Sequence, residues 1–360
     1  MPNDMSSAVG VAEAVDLRRV GSHPDYWYPL CWSDEIKPGK MLARRFAGEP
    51  IVVYRGKSGQ VFALEDRCAH RQVPLHLGVV AGDTVKCSYH GWTYDCAGAC
   101  VDVPYIGMGD NRLPNGVKSY PCREIEGLVF VFPGDPALAE ERLPSGLGSA
   151  RNGAYKTRRL NREVACHYSF MHENLFDMNH QFLHRKQMGM IKAKCLGRDN
   201  GPNWAEVRYT FSRTAGSGTV GETAILGVVR GRGEGDFTDL MVIRTDYPYQ
   251  SLKVFVGGGD PVLDVWLGYT PLDKAQRENR TFGYLSVKRP GVPLLIDIAW
   301  PFITKFTEAI FQEDRDIVEF EQAAHDAQGS DWNNEIFPPI RDLRAVLARC
   351  GVRLDAPQEA

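Results

Sequence analysis

The sequence has no apolar run long enough to cross a bilayer. Its most apolar stretch, residues 292–303, is broken by Asp297 and Pro301, whereas a spanning helix needs about 20 apolar residues. Residues 1–21 also lack the apolar core of a signal peptide, and Asp4, Glu13 and Asp16 make them too acidic for a transit sequence. They read as the tail of a cytoplasmic protein. No charge of one sign dominates: 42 basic side chains face 45 acidic ones. That balance argues against nucleic acid or an anionic membrane as partner. The nine cysteines are an odd number scattered along the chain, which argues for reduced thiols and metal ligation over a disulfide framework. Internal repeats and low-complexity tracts are missing as well. The glycines at 227, 231, 233 and 235 follow no βαβ pattern, so neither a dinucleotide fingerprint nor a nicotinamide or flavin site is expected.

At 360 residues the chain exceeds one compact core and suits two domains. We expect an N-terminal tail over 1–25, an all-β domain over 26–135, a linker over 136–153 and an α+β domain over 154–350. Short apolar runs cut by glycine-bearing turns, such as Gly56-Lys57-Ser58-Gly59, define the first domain. The second opens with a helical pattern over 166–184. It continues with strands near 205–211, 240–245, 252–256 and 281–287, and ends in a long helix over 294–327.

Two constellations carry chemistry. In the first, Cys68-Ala69-His70 and Cys87-Ser88-Tyr89-His90 pair a thiol with an imidazole in each of two turns. Two thiolates can hold one iron of a two-iron, two-sulfur cluster while two imidazoles hold the other. A structural zinc site takes the same ligand types, but zinc modules usually pair Cys with Cys and His with His. Cys96 and Cys100 flank a hairpin turn and read as packing residues.

In the second, Asp177, His180 and His184 recur at spacings of three and four, which places them on one helix face. Gln181 stands where a zinc peptidase needs glutamate, so that chemistry is disfavoured. The final helix supplies a third ligand type. Its apolar stripe is read as Phe306, Ile310, Ile317, Glu321 and Ala324, with Phe311 and Val318 alongside, and Asp314 interrupts it. A carboxylate among apolar neighbours is costly unless paired or bound to a cation. Asp316 falls on the polar face. Two histidines and one carboxylate leave open positions on ferrous iron for dioxygen and substrate. His23, His76, His167, His172 and His325 lack such a constellation.

The segments Cys68-Ala-His70-Arg71, Cys87-Ser-Tyr-His90-Gly91-Trp92, Asn174-x-x-Asp177-x-x-His180-x-x-x-His184 and Glu313-Asp314-Arg315 together resemble the large subunits of Rieske non-haem iron oxygenases. The resemblance runs from about residue 27 to 349. Gln72 replaces the usual glycine, and three residues separate the histidines where most members have four. It implies a Rieske domain followed by a helix-grip-like antiparallel sheet whose helices hold mononuclear iron. Cys68, His70, Cys87 and His90 would hold the cluster, and His180, His184 and Asp314 the Fe(II). Neither cluster loop has the extra cysteine of respiratory Rieske proteins, so the potential should lie toward about −150 mV.

By the same resemblance Asp177 bridges a cluster histidine matching His90 and an iron histidine matching His180, with Asn174 beside it in the catalytic motif. It further implies a reductase or ferredoxin as electron donor, a homotrimer, and hydroxylation or oxidative demethylation of a small, mostly apolar, ring-containing substrate. The rival reading is a Rieske electron carrier. Such a carrier needs only about the first third of the chain and has no use for Asp314.

Overall fold

The computed structural model describes residues 15–105, 113–147, 152–215, 220–221, 225, 240–292 and 294–354. Three small antiparallel sheets build the first half. One pairs Met41–Phe46, Glu49–Arg55, Val61–Glu65 and Ser119–Tyr120; a second pairs Tyr28–Trp32 with Leu128–Val131 and Cys122–Ile125. The third runs Val79–Ala81, Thr84–Lys86, Thr93–Tyr94 and Cys100–Asp102. Between these layers Val52, Tyr54, Leu64, Leu75, Val85 and Tyr94 form a core that also encloses Cys68 and Cys87. The cluster loops are therefore anchored from below.

The second half is a seven-stranded antiparallel sheet in the order Tyr155–Val164, Asn279–Lys288, Leu263–Pro271, Tyr249–Phe255, Leu240–Asp246, Trp204–Ala215 and Met190–Asn200. Helices α1 (Tyr168–Phe176), α2 (Arg185–Met188), α3 (Leu295–Gln328) and α4 (Pro338–Cys350) accompany it. Together they form the expected α+β domain. The strands are antiparallel, yet Leu263–Pro271 and Asn279–Lys288 are buried on both faces. One face packs on helices, and the other meets the first half through Trp32 against Phe282 and Tyr284. Tyr249 Oη also donates to the Trp27 carbonyl at 2.6 Å, and Thr270 Oγ1 to that of Pro29 at 2.7 Å.

Three expectations need correction. Residues 166–184 do not form one helix: α1 stops at Phe176, a 3-10 turn spans Met178–Phe182, and α2 begins at Arg185. Asp177 makes the break, because its side chain caps the backbone N–H of Asn179 and competes with helical continuation. On α3 the buried residues are Ile296, Ile303, Thr307, Val318 and Gln322, while Ile317, Glu321 and Ala324 face outward. The inward row therefore runs 303, 307, 311, 314, 318, 322, and Asp314 keeps its place on it. Finally, part of the expected tail is docked. Val20–Gly21 pair with Val352–Arg353, and buried Arg18 meets Glu173 at 2.7 Å.

The glycine cluster at 227–235 lies outside the described residues. Among the described residues no helix is long and apolar enough to cross a membrane.

Candidate metal centres

The two cluster loops repeat one backbone design. Cys68 N–H donates to the Val73 carbonyl and Cys87 N–H to that of Trp92, each at 2.9 Å. Four residues after each cysteine, the N–H of Gln72 and that of Gly91 return to the cysteine carbonyl. Closing this turn needs a left-handed residue, and both comply, with φ of +61° at Gln72 and +72° at Gly91. The departure at Gln72 leaves the loop shape intact.

Within that frame the thiols of Cys68 and Cys87 are buried and the imidazoles of His70 and His90 are partly exposed. The two imidazoles sit 4.5 Å apart, and His70 lies flat on Trp92 at 4.6 Å. Tyr94 Oη is 3.2 Å from Cys68 Sγ and accepts from the Ala69 N–H at 3.0 Å. Burial raises the pKa of the Cys87 thiol, and adjacent Cys68 raises it further. Metal ligation would offset that shift at Cys87 by binding the thiolate. Two buried thiols and two partly exposed imidazoles fit the ligand set of a two-iron, two-sulfur cluster.

In the second half, donor atoms of His180, His184 and Asp314 all lie within 4.8 Å of one another. Asp314 Oδ1 is 3.1 Å from His184 Nε2 and 3.7 Å from His180 Nε2. The side chain of His184 is 2% exposed and that of Asp314 15%. His184 Nε2 and Asp314 Oδ1 are buried without a hydrogen bond, which fits a cation between them better than a void. The remote ring nitrogens are fixed: His180 Nδ1 donates to the Asp177 carbonyl, and His184 Nδ1 meets Glu313 Oε2 at 2.8 Å. Burial works against charge on His184, yet Asp314 and Glu313 outweigh it and raise its pKa.

Asp177 touches His180 through its backbone carbonyl, while its carboxylate Oδ1 accepts from the backbone and side-chain amides of Asn179. Asn174, on α1, lines a cavity of about 60 Å³ with Asp314, Met171, Leu175, Leu267 and Phe311. The remaining histidines are otherwise employed. His76 pairs with Asp66 at 2.5 Å, His325 with Asp16 at 3.2 Å, and His167 caps α1.

Fold and side chains define a two-centre iron protein, with an iron-sulfur module joined to a facial two-histidine, one-carboxylate site. Residues 26–121 match the Rieske [2Fe-2S] domain, and residues 164–340 match the vanillate O-demethylase oxygenase C-terminal domain. The chain is 29% identical to 4beta-methylsterol monooxygenase of Methylococcus capsulatus, over 92% of this chain and 89% of that protein. It is 36% identical to the oxygenase component of dicamba O-demethylase from Stenotrophomonas maltophilia, over 44% of this chain and 47% of that one. The crystal structure of dicamba monooxygenase bound to dicamba superimposes with a TM-score of 0.73 at 23% identity, covering 93% of this chain and 97% of that one.

The chain belongs to the Rieske non-haem iron oxygenases. It is an oxidoreductase whose cofactors are a Rieske 2Fe-2S cluster and a mononuclear iron.

In the sequence Glu313 stands out only as part of Glu313-Asp314-Arg315. Its contact with His184 depends on where α2 meets α3, which no local spacing reveals.

Proposed function

We propose that this chain is the terminal oxygenase of a system in which a separate reductase or ferredoxin supplies electrons. It would hydroxylate or oxidatively demethylate a small, mostly apolar, ring-containing substrate. One observation carries the proposal: a chain with a Rieske ligand set also brings His180, His184 and Asp314 within 4.8 Å of one another. An electron carrier has no need of that second site.

Cys68, His70, Cys87 and His90 would hold the cluster, and His180, His184 and Asp314 the Fe(II). When bound, the cluster supplies single electrons and the ferrous ion supplies dioxygen chemistry. The protein's part is positional. Buried Cys68 and Cys87 would shield the cluster from water, and the partly exposed imidazoles of His70 and His90 would be accessible to a partner. On the catalytic side, His180 and His184 are locked in the tautomer that leaves each Nε2 lone pair free. The cavity beside Asp314 is predominantly apolar, and two cations on its wall are already paired, Arg162 with Glu308 and Arg315 with Glu319. This supports a substrate recognised by shape more than by charge. The 4beta-methylsterol named for one relative is a mostly apolar, ring-containing compound of that kind.

We further propose a cytoplasmic homotrimer in which His90 of one chain faces Asp177 of the next. Partial exposure of both residues supports this arrangement.

The deciding experiment is metal analysis and turnover together. Anaerobically purified protein should be brown, with about three irons per chain. With a surrogate reductase it should yield oxygenated or demethylated products from a panel of methyl ethers, N-methyl compounds, arenes and terpenoids, read by mass spectrometry. Stoichiometric zinc without visible charge-transfer bands would refute the reading.

A further inference from the structure

Consecutive residues of α3 reach opposite edges of one imidazole. Asp314 Oδ1 stands 3.1 Å from His184 Nε2, and Glu313 Oε2 stands 2.8 Å from His184 Nδ1. The ring between them is almost wholly buried, its side chain 2% exposed. Neighbouring positions on a helix differ by about 100° in direction, yet Glu313 and Asp314 both reach His184, the residue that caps α2, one at each ring nitrogen. The companion histidine is held differently, since His180 Nδ1 donates to the neutral carbonyl of Asp177.

The other carboxylates of this stretch of α3 have ordinary partners. Glu308 pairs with Arg158 and Arg162, Glu319 with Arg315, and Asp316 accepts from Gln312. Among the described residues Glu313 pairs with no lysine or arginine. Its side chain is 24% exposed, and its ion-pair partner among those residues is His184. A carboxylate without a cationic partner, placed on the far nitrogen of a buried imidazole, fixes the ring's tautomer and increases electron donation from the near nitrogen.

We infer that Glu313 is a positioning residue for the mononuclear iron, acting through His184. The inference rests on the reading that His180, His184 and Asp314 hold that iron. The two histidines are then unequal ligands, one backed by a negative charge and one by a peptide dipole.

The test uses the full-length, cluster-loaded chain and measures the Fe(II) dissociation constant by anaerobic chelator competition. Ligand-field bands of the Co(II)-substituted site serve as a second readout. Glu313→Ala should weaken Fe(II) binding about 10- to 100-fold, the usual effect of losing such a partner. It should shift the Co(II) bands and leave the cluster spectrum unchanged. Glu313→Gln, which keeps the shape and a neutral acceptor, should fall between Glu313→Ala and the parent. A purely structural Glu313 would lower the unfolding temperature and leave both metal readouts unchanged. Fe(II) affinity of Glu313→Ala within twofold of the parent overturns the inference. Should that variant not fold, Glu313→Gln is judged by the same twofold limit. Asp314→Ala separates the two levels: if it loses iron while Glu313→Ala does not, only the role of Glu313 fails. If Asp314→Ala itself retains iron, the iron-site reading fails.

Discussion

Gln72 and Gly91 occupy equivalent turns but carry different strain. Both are left-handed, a conformation that costs a residue with a side chain about 1–2 kcal/mol. Glycine avoids that cost but loses about 0.5–1 kcal/mol of unfolded-state entropy on ordering. Gln72→Gly should therefore stabilise the cluster domain by about 0.5–1 kcal/mol, seen as a higher midpoint for cluster bleaching in denaturant. A lower midpoint would mean that the glutamine side chain has contacts outweighing the strain. At the same scale, Tyr94→Phe removes the hydroxyl beside Cys68 Sγ. Hydrogen bonds to cluster sulfurs favour the reduced, more negative state. The variant should consequently have a lower potential by voltammetry, and an unchanged value would show that the hydroxyl serves only the Ala69 N–H.

At the scale of elements, α1 carries two buried histidines that are stable only when neutral. Burial pushes His172 down to about 3 and His167 well below its usual range, with Arg18 adding to the shift at His167. In the unfolded chain both titrate near about 6.5. Between those limits the unfolded state binds more protons, so stability should fall as pH drops from about 6.5 toward 3. Thermal unfolding followed by far-UV circular dichroism from pH 7.5 to 5 should show this decline, and His172→Gln should flatten it. An equally steep decline in that variant would place the acid sensitivity elsewhere.

Elements also show where reading the sequence stops. Short apolar strands with turn signals marked the β-rich half, and both ligand sets stood out because thiols, imidazoles and a stranded carboxylate are expensive to bury. The break after Phe176 escaped detection because three- and four-residue spacing survives the change from α-helix to 3-10 turn. The inward face of α3 was misdrawn for a related reason. Ile317 is apolar yet exposed, at 36%, so hydrophobicity points to a neighbouring row. Strands 155–164 and 190–200 were missed because arginines and lysines alternate through them and blur the period.

Across the whole molecule, the two centres lie in separate domains, so each should be removable alone. Asp314→Ala should lose the mononuclear iron, from about one per chain to near zero, and keep the cluster spectrum. Asp177→Asn should bind both metals and still lose turnover, since an amide lacks the charge that would pair with His90 of the next chain in the proposed trimer. Wild-type turnover would reduce Asp177 to the helix cap seen at Asn179. In the proposed trimer, mixing His90→Ala chains with Asp314→Ala chains should restore partial activity, because some interfaces join an intact cluster to an intact iron. Zero turnover in mixed trimers verified by native mass spectrometry would place electron transfer within one chain.

Among the described residues the sheet ends in Met190–Asn200, eleven residues long and paired with one neighbouring strand. A strand edge of this length can be a template on which further chains polymerise. Lys192, Lys194 and Arg198 lie along it, and its register slips near Met190 and again near Cys195. Charge and irregularity make it a poor template, which bears on colloidal behaviour rather than catalysis. Replacing Lys192 and Lys194 together with valine should leave each folded molecule unchanged and lower the concentration at which light scattering first reports aggregates.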